Sequence, residues 1–221
     1  MFRPVLIAIF TAVFTAIFII SCDDAGILTT TTNLTLRLSD STGQDAYITD
    51  FYPNTNFKND GDFAGIAWIT TDTGYIGRTL FKFNLTDIPQ NATVTSAKLL
   101  LTYNQAPTHY GSAGHHQDSG SNACYMQRIL QGWDDDSVTW NNQPTVTAAD
   151  QIILDASTTN FQNYSVTMTD AINDMVKNPN TNFGFLLRLQ TESPLRVLGF
   201  SSGNTDTTLR PVLQVTYSIT P

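Results

Sequence analysis

Glutamate is almost missing from this chain of 221 residues: Glu192 is the only one, against 18 aspartates. Charged residues make up 14 % of the sequence, below the roughly 25 % of ordinary soluble domains. Two cysteines, Cys22 and Cys124, are too few for a disulfide framework. Each shortage excludes something. A chain this poor in Glu and Lys is a weak helix former. Eleven bases against 19 acids leave a net charge of −8, which argues against a nucleic-acid binder, since such proteins displace phosphate counterions with excess Lys and Arg. No apolar run reaches the roughly 20 residues that span a bilayer. What the chain has instead is 33 Thr and 17 Asn, the one β-branched and strand-favouring, the other turn-favouring. The expected class is all-β and extracytoplasmic.

The longest apolar run, Val5–Ile20, follows a single positive residue, Arg3, and ends beside the small Ser21. That is the layout of a secretory signal. Ile19-Ile20-Ser21-Cys22 resembles a bacterial lipobox, and the resemblance implies cleavage before Cys22 and a diacylglyceryl group on its thiol. Acyl chains there hold a protein on a membrane without spanning it. An uncleaved anchor, or ordinary cleavage leaving a free cysteine, is the other reading. Asp23-Asp24 resembles the acidic surface-export signal of some bacterial lipoproteins; in other bacteria an Asp beside the lipidated cysteine favours retention at the inner membrane. The expected organisation is a signal peptide over 1–21, an acylated Cys22 and polar tether over 22–32, and one domain over 33–221. The expected site is the cell envelope, with the outer-membrane surface favoured. Loss of 1–21 removes Arg3 and no acid, leaving ten bases against 19 acids and a charge of −9.

Past the tether, strands alternate with turn signals. Leu34, Leu36 and Leu38 share one face, and Thr79, Phe81, Phe83 and Leu85 another, with Arg78, Leu80 and Lys82 opposite. Ala97, Leu99, Leu101 and Tyr103 repeat the scheme against Lys98, Leu100 and Thr102. Further strands are predicted near 64–70, 123–130, 151–155, 163–168, 183–190, 195–201 and 212–218. One helix is predicted over AINDMVKN, N-capped by Thr169 or Asp170, with Ile172, Met175 and Val176 as its apolar stripe. Many strands and long connections predict a two-sheet antiparallel β-sandwich of jelly-roll type with one short helix.

QDAYITDFYPNTNF, followed by GRTLFKFNLTDIPQNATVTSAKLLLTY, resembles the DNRLRE domain, also classed as carbohydrate-binding module family 96. Asp45, Tyr47, Ile48, Arg78, Phe81, Phe83, Ile88, Pro89, Val94, Thr95, Ala97 and Leu99 fit its pattern. GWDDDSVTWNNQP resembles its Trp-x-x-x-x-Val-Thr-Trp-x-x-x-Pro block, and NFGFLLRL and LRPVLQVTY its closing strands. The blocks run in order over residues 32–218. The resemblance implies a jelly-roll sandwich, secreted, and attached to polysaccharide-degrading enzymes or cell-surface proteins; some members are linked to alginate, an acidic polymer. Two departures stand out: Ser201-Ser202-Gly203-Asn204 replaces the family's Ser-Arg-Glu, and the loop between Tyr103 and Ala123 is long.

A glycan module needs aromatic faces for sugar C–H surfaces and planar polar groups for hydroxyls; uronates add a need for Arg or Lys. Strand parity places Arg78, Lys82, Lys98 and Arg188 opposite the apolar face, where they form a basic cluster on one sheet or simply face water and the many aspartates. The loop 104–122 holds every histidine, His109, His115 and His116, with Tyr110 and Asp118; it is a binding loop or a solvated Gly/Ser loop. Tyr52 and Tyr75 are expected at loop tips, while Phe57, Phe63, Trp68, Trp133 and Trp140 are expected to pack. Asp60 and Asp62, and Asp134 and Asp136, are candidate ligands of a structural calcium, with solvated turn acids as the favoured reading. No hydrolase, zincin or phosphate-loop motif is present. Glu192, in the turn TESP, is expected at the surface and leaves glycoside hydrolysis without its usual pair. The expected function is therefore non-catalytic polysaccharide binding by a lipid-anchored module, with acidic glycans such as alginate favoured. A structural or adhesive module without a sugar ligand is the alternative. A polysaccharide lyase using His and Tyr of the 104–122 loop is a weaker one.

Overall fold

The alternation of Thr with aromatic and branched residues becomes twelve strands and one helix in a computed structural model, which describes residues 29–39 and 41–220. The apolar run, Cys22 and the acidic pair after it lie outside the described residues. A four-stranded antiparallel sheet has the order β1 (Thr30–Arg37), β12 (Val212–Ile219), β5 (Thr93–Leu101), β9 (Tyr164–Thr167). The larger sheet runs β6 (His116–Gln117), β11 (Arg196–Ser201), β3 (Asp62–Ile69), β4 (Gly74–Phe83), β10 (Phe185–Leu189), β7 (Cys124–Ile129), β8 (Val146–Leu154), with β2 (Gly43–Thr49) also paired to β4. This is the all-β two-sheet sandwich that the sequence predicts. β1 takes in Thr30–Thr32, which the sequence reading gave to the tether.

The inward faces meet as predicted. Phe81 lies 4.9 Å from Phe63 and stacks 5.6 Å from Phe185 by ring centroids; Leu99, Leu101 and Leu213 close over them from the smaller sheet. Close-packed apolar surface of this kind is the main source of stability. Cys124 is a buried free thiol in this core.

The helix α1 (Thr169–Lys177) buries Ile172, Met175 and Val176 as expected, but it starts differently. Its N-cap is Met168, and neither Thr169 nor Asp170 caps it. The Thr169 hydroxyl accepts the Ala97 N–H at 3.0 Å, while the Met168 N–H donates to the Ala97 carbonyl at 2.9 Å. Thr169 thus extends the β5–β9 ladder, which leaves its oxygen unavailable to the helix.

A further layer covers the outer side of the larger sheet in two places. The segment 130–145 lays Trp133, Val138 and Trp140 over Ala46, Ile48, Leu80 and Leu186. The 104–122 segment and the β2–β3 loop lay Tyr110 and Phe57 over Tyr47, Ala64, Ile66 and Val197. Leu80, expected to face water, is buried for this reason.

Candidate carbohydrate-binding face

Between the two covered regions the outer side of the larger sheet carries a polar row. β2 places Ile48 opposite Arg78. β10 sets Leu187 opposite Thr79, bringing Arg188 level with Arg78 on the same side. Arg188 faces Tyr125 on β7, and Tyr125 faces Ile153 on β8. From Arg78 to Ile153 is three strand spacings, about 14 Å.

Two arginines anchor the row, in different electrostatic states. Arg78 donates from Nε and Nη2 to the two carboxylate oxygens of Glu192 at 2.7 and 2.8 Å, and from Nη1 to the Gln143 side-chain oxygen at 2.9 Å. Its guanidinium lies 4.5 Å from the Trp140 ring centroid. The fork that a uronate would use is already taken, and Glu192, expected at the surface, is half-buried because of it. Arg188 donates to the Gln127 side-chain oxygen at 3.0 Å and to the Leu189 carbonyl at 3.3 Å, with its guanidinium 5.5 Å from the Tyr125 ring. Gln127 in turn donates to Gln151 at 2.8 Å. No carboxylate among the described residues pairs with Arg188. The face therefore offers one uncompensated guanidinium, two aromatic rings and three side-chain amides held in place by one another.

The other sequence candidates scatter. Lys98 is exposed on β5, in the opposite sheet, so the four bases do not form one cluster. Lys82 is on the outer side of β4, beyond the cover of Leu80, and lines a separate cleft. Tyr52 is exposed at 50 %, as expected, with Phe51 edge-on at 4.7 Å. Tyr75 is buried, because its hydroxyl donates to the His109 carbonyl beneath the β2–β3 loop.

The 104–122 segment is pinned by its buried residues Asn104, Tyr110, Gly114, His115 and Asn122, while Gly111, Ser112 and 117–121 are exposed. Tyr110 is buried with its hydroxyl over Gly199, where a Cβ would meet it at 2.0 Å. His115 is fully buried; its Nε2 donates to the Gln162 carbonyl at 2.8 Å and its Nδ1 accepts the Gly199 N–H at 3.1 Å. Burial lowers its pKa, which keeps the ring neutral. His109 pairs with Asp60 at 2.8 Å and stacks on Tyr47 at 4.3 Å. His116 sits in β6, near Asp118 at 3.8 Å. Gly114 permits the path: it has φ +90°, and a Cβ there would lie 2.1 Å from the Asn160 carbonyl oxygen. Burial holds the Tyr110 phenol well above its ordinary value, the wrong direction for the base a lyase needs.

The family model of carbohydrate-binding module family 96 matches residues 39–217. The chain belongs to that family. No curated protein matches it. Membership supports carbohydrate binding, and a binding module rather than an enzyme. In this family 96 module each acidic set brings three ligand-type side chains together, where calcium takes six to eight oxygens. Asp60 and Asp62 lie with His109 in one cluster, but their oxygens accept from Asp62 N–H, Thr108, Asn104 and His109. Asp135 and Asp136 already face the Lys58 ammonium at 3.4 and 2.9 Å, and Asp134 accepts the Asp136 N–H. Sequence reading of the family 96 blocks missed Tyr125, Gln127, Gln143 and Gln151. Tyr125 and Gln127 alternate with the core residues Cys124 and Met126, a signal that marks them as outward; nothing local aligns them with Arg188, which depends on strand register.

Proposed function

We propose that the protein binds an acidic polysaccharide such as alginate, without cleaving it, along the row from Trp140 to Tyr125. The observation that carries this is Arg188: a guanidinium with no carboxylate partner, beside an aromatic ring, on a molecule of net charge −8. A uronate carboxylate meets its free N–H groups, sugar C–H faces rest on Tyr125 and Trp140, and hydroxyls meet Gln143 and Gln151, while buried Gln127 holds Arg188 in place. Arg188→Gln is expected to weaken alginate binding about tenfold or more, from loss of a charge-assisted contact, while leaving the fold intact. Affinity electrophoresis in gels containing alginate or a neutral glucan tests this; unchanged retardation by alginate removes the face from consideration.

The same proposal places the module on the cell envelope through lipidated Cys22, at the outer-membrane surface. The support is the sequence around Ser21-Cys22. Metabolic labelling with a radioactive fatty acid is expected in the wild type and lost in Cys22→Ser; label retained in the variant rules the anchor out.

A further inference from the structure

Lys82 lies four residues along β4 from Arg78, about 13 Å away, with Leu80 and the Trp133–Val138 cover between them. It lines a cleft of about 620 Å³ formed by the start of β2, the β4–β5 connection and the end of α1. That volume is in the range of small-molecule sites. Among the described residues the Lys82 ammonium has neither an ion pair nor a hydrogen bond.

Four side-chain amides line the cleft; the Asn84 oxygen accepts the Thr86 N–H at 3.1 Å, and each of the other three is fixed by donating to a main-chain carbonyl. Gln44 donates to Trp133 at 3.2 Å, Gln90 to Lys177 at 2.9 Å and Asn182 to Phe83 at 3.0 Å. Holding the nitrogen fixes the orientation of the amide and leaves its oxygen as an acceptor. The exposed rings of Pro89 and Pro179 add apolar surface. The ligand that matches this set has hydroxyl donors for the oxygens, one anionic group for the ammonium and an apolar C–H face. We infer that the cleft is a second binding site, distinct from the sheet face, that takes a single acidic sugar residue, a hexuronate at the end of a chain or free. A carboxylate without hydroxyls leaves the three acceptors unmatched. A neutral sugar leaves the charge unmatched.

The test is an NMR titration of the isotopically labelled protein with digalacturonate, its methyl ester and acetate as probes. Digalacturonate is expected to shift the side-chain amide signals of Gln44, Gln90 and Asn182, with the ester and acetate binding far more weakly. Lys82→Gln is expected to weaken the binding read at those three amides about tenfold or more, and Arg188→Gln to leave the shifts of those three amides unchanged while removing any shift beside Tyr125, which separates this cleft from the sheet face. Equal binding of the ester or of acetate, shifts confined to the neighbours of Arg188, or no shift at all overturns the inference. The wild-type comparison of the three probes decides the matter even if Lys82→Gln does not fold.

Discussion

Replacing Asp62 by alanine is expected to lower stability by about 3 kcal/mol and the melting temperature by roughly 6–12 °C. Asp62 is buried, and its carboxylate accepts from the Asn104 side chain, the Thr108 N–H at 3.0 Å, the Thr108 hydroxyl at 2.9 Å and the His109 N–H at 3.0 Å. Those four donors hold the start of the 104–122 segment against the sheet, so alanine leaves several of them buried without an acceptor. Calorimetry measures the loss, and limited proteolysis locates it: cutting is expected within 104–122 before the rest of the chain. A change below about 1 kcal/mol would mean that Tyr110 and His115 hold the segment unaided. Burial and the adjacent Asp60 hold the Asp62 carboxyl above its ordinary 3.8. The native state therefore keeps this proton more readily than the unfolded chain. The resulting contribution is complete below pH 3.8 and is lost as pH rises through the raised value. Asp62→Asn removes it, so denaturant melts of wild type and variant are expected to diverge in slope across that window and run parallel above it.

The segment that Asp62 anchors also shows where sequence reading stops. The inward faces were readable because burial on one side of a strand imposes a period of two, and Phe81, Leu99 and their neighbours obey it. Leu80 obeys the same period and is buried all the same, since a segment some fifty residues later in the chain covers it. His109, His115 and His116 fall together in sequence because one loop carries them, but each is held by a different partner: Asp60, Gln162 with Gly199, and the β11 edge. Composition alone groups them; only packing separates them. Arg188 and Lys82 were visible as outward bases. What distinguishes them from Arg78 is the absence of a carboxylate partner, and that depends on where the β10–β11 turn delivers Glu192.

Arg78 is therefore expected to act by positioning rather than by touching sugar. Its guanidinium joins Glu192, Gln143 and the Trp140 ring in one arrangement, with 21 % of the Arg78 side chain and 15 % of the Glu192 side chain accessible. Arg78→Ala leaves the Glu192 carboxylate half-buried without its partner and removes the support of Trp140, at a cost of about 3 kcal/mol. Lysine keeps the charge but not the planar fork, so Arg78→Lys is expected to recover only part of that loss. A merely local ion pair would do no more than this. A positioning role adds two consequences: Trp140 fluorescence should shift in both variants, and polysaccharide affinity should fall with it, because the ring loses the guanidinium that lies against it. Removing both charges in Arg78→Met/Glu192→Gln should restore most of the stability, since no unpaired carboxylate remains, but not the affinity. If the double variant regains affinity together with stability, Arg78 serves the fold alone, and the binding row begins at Arg188.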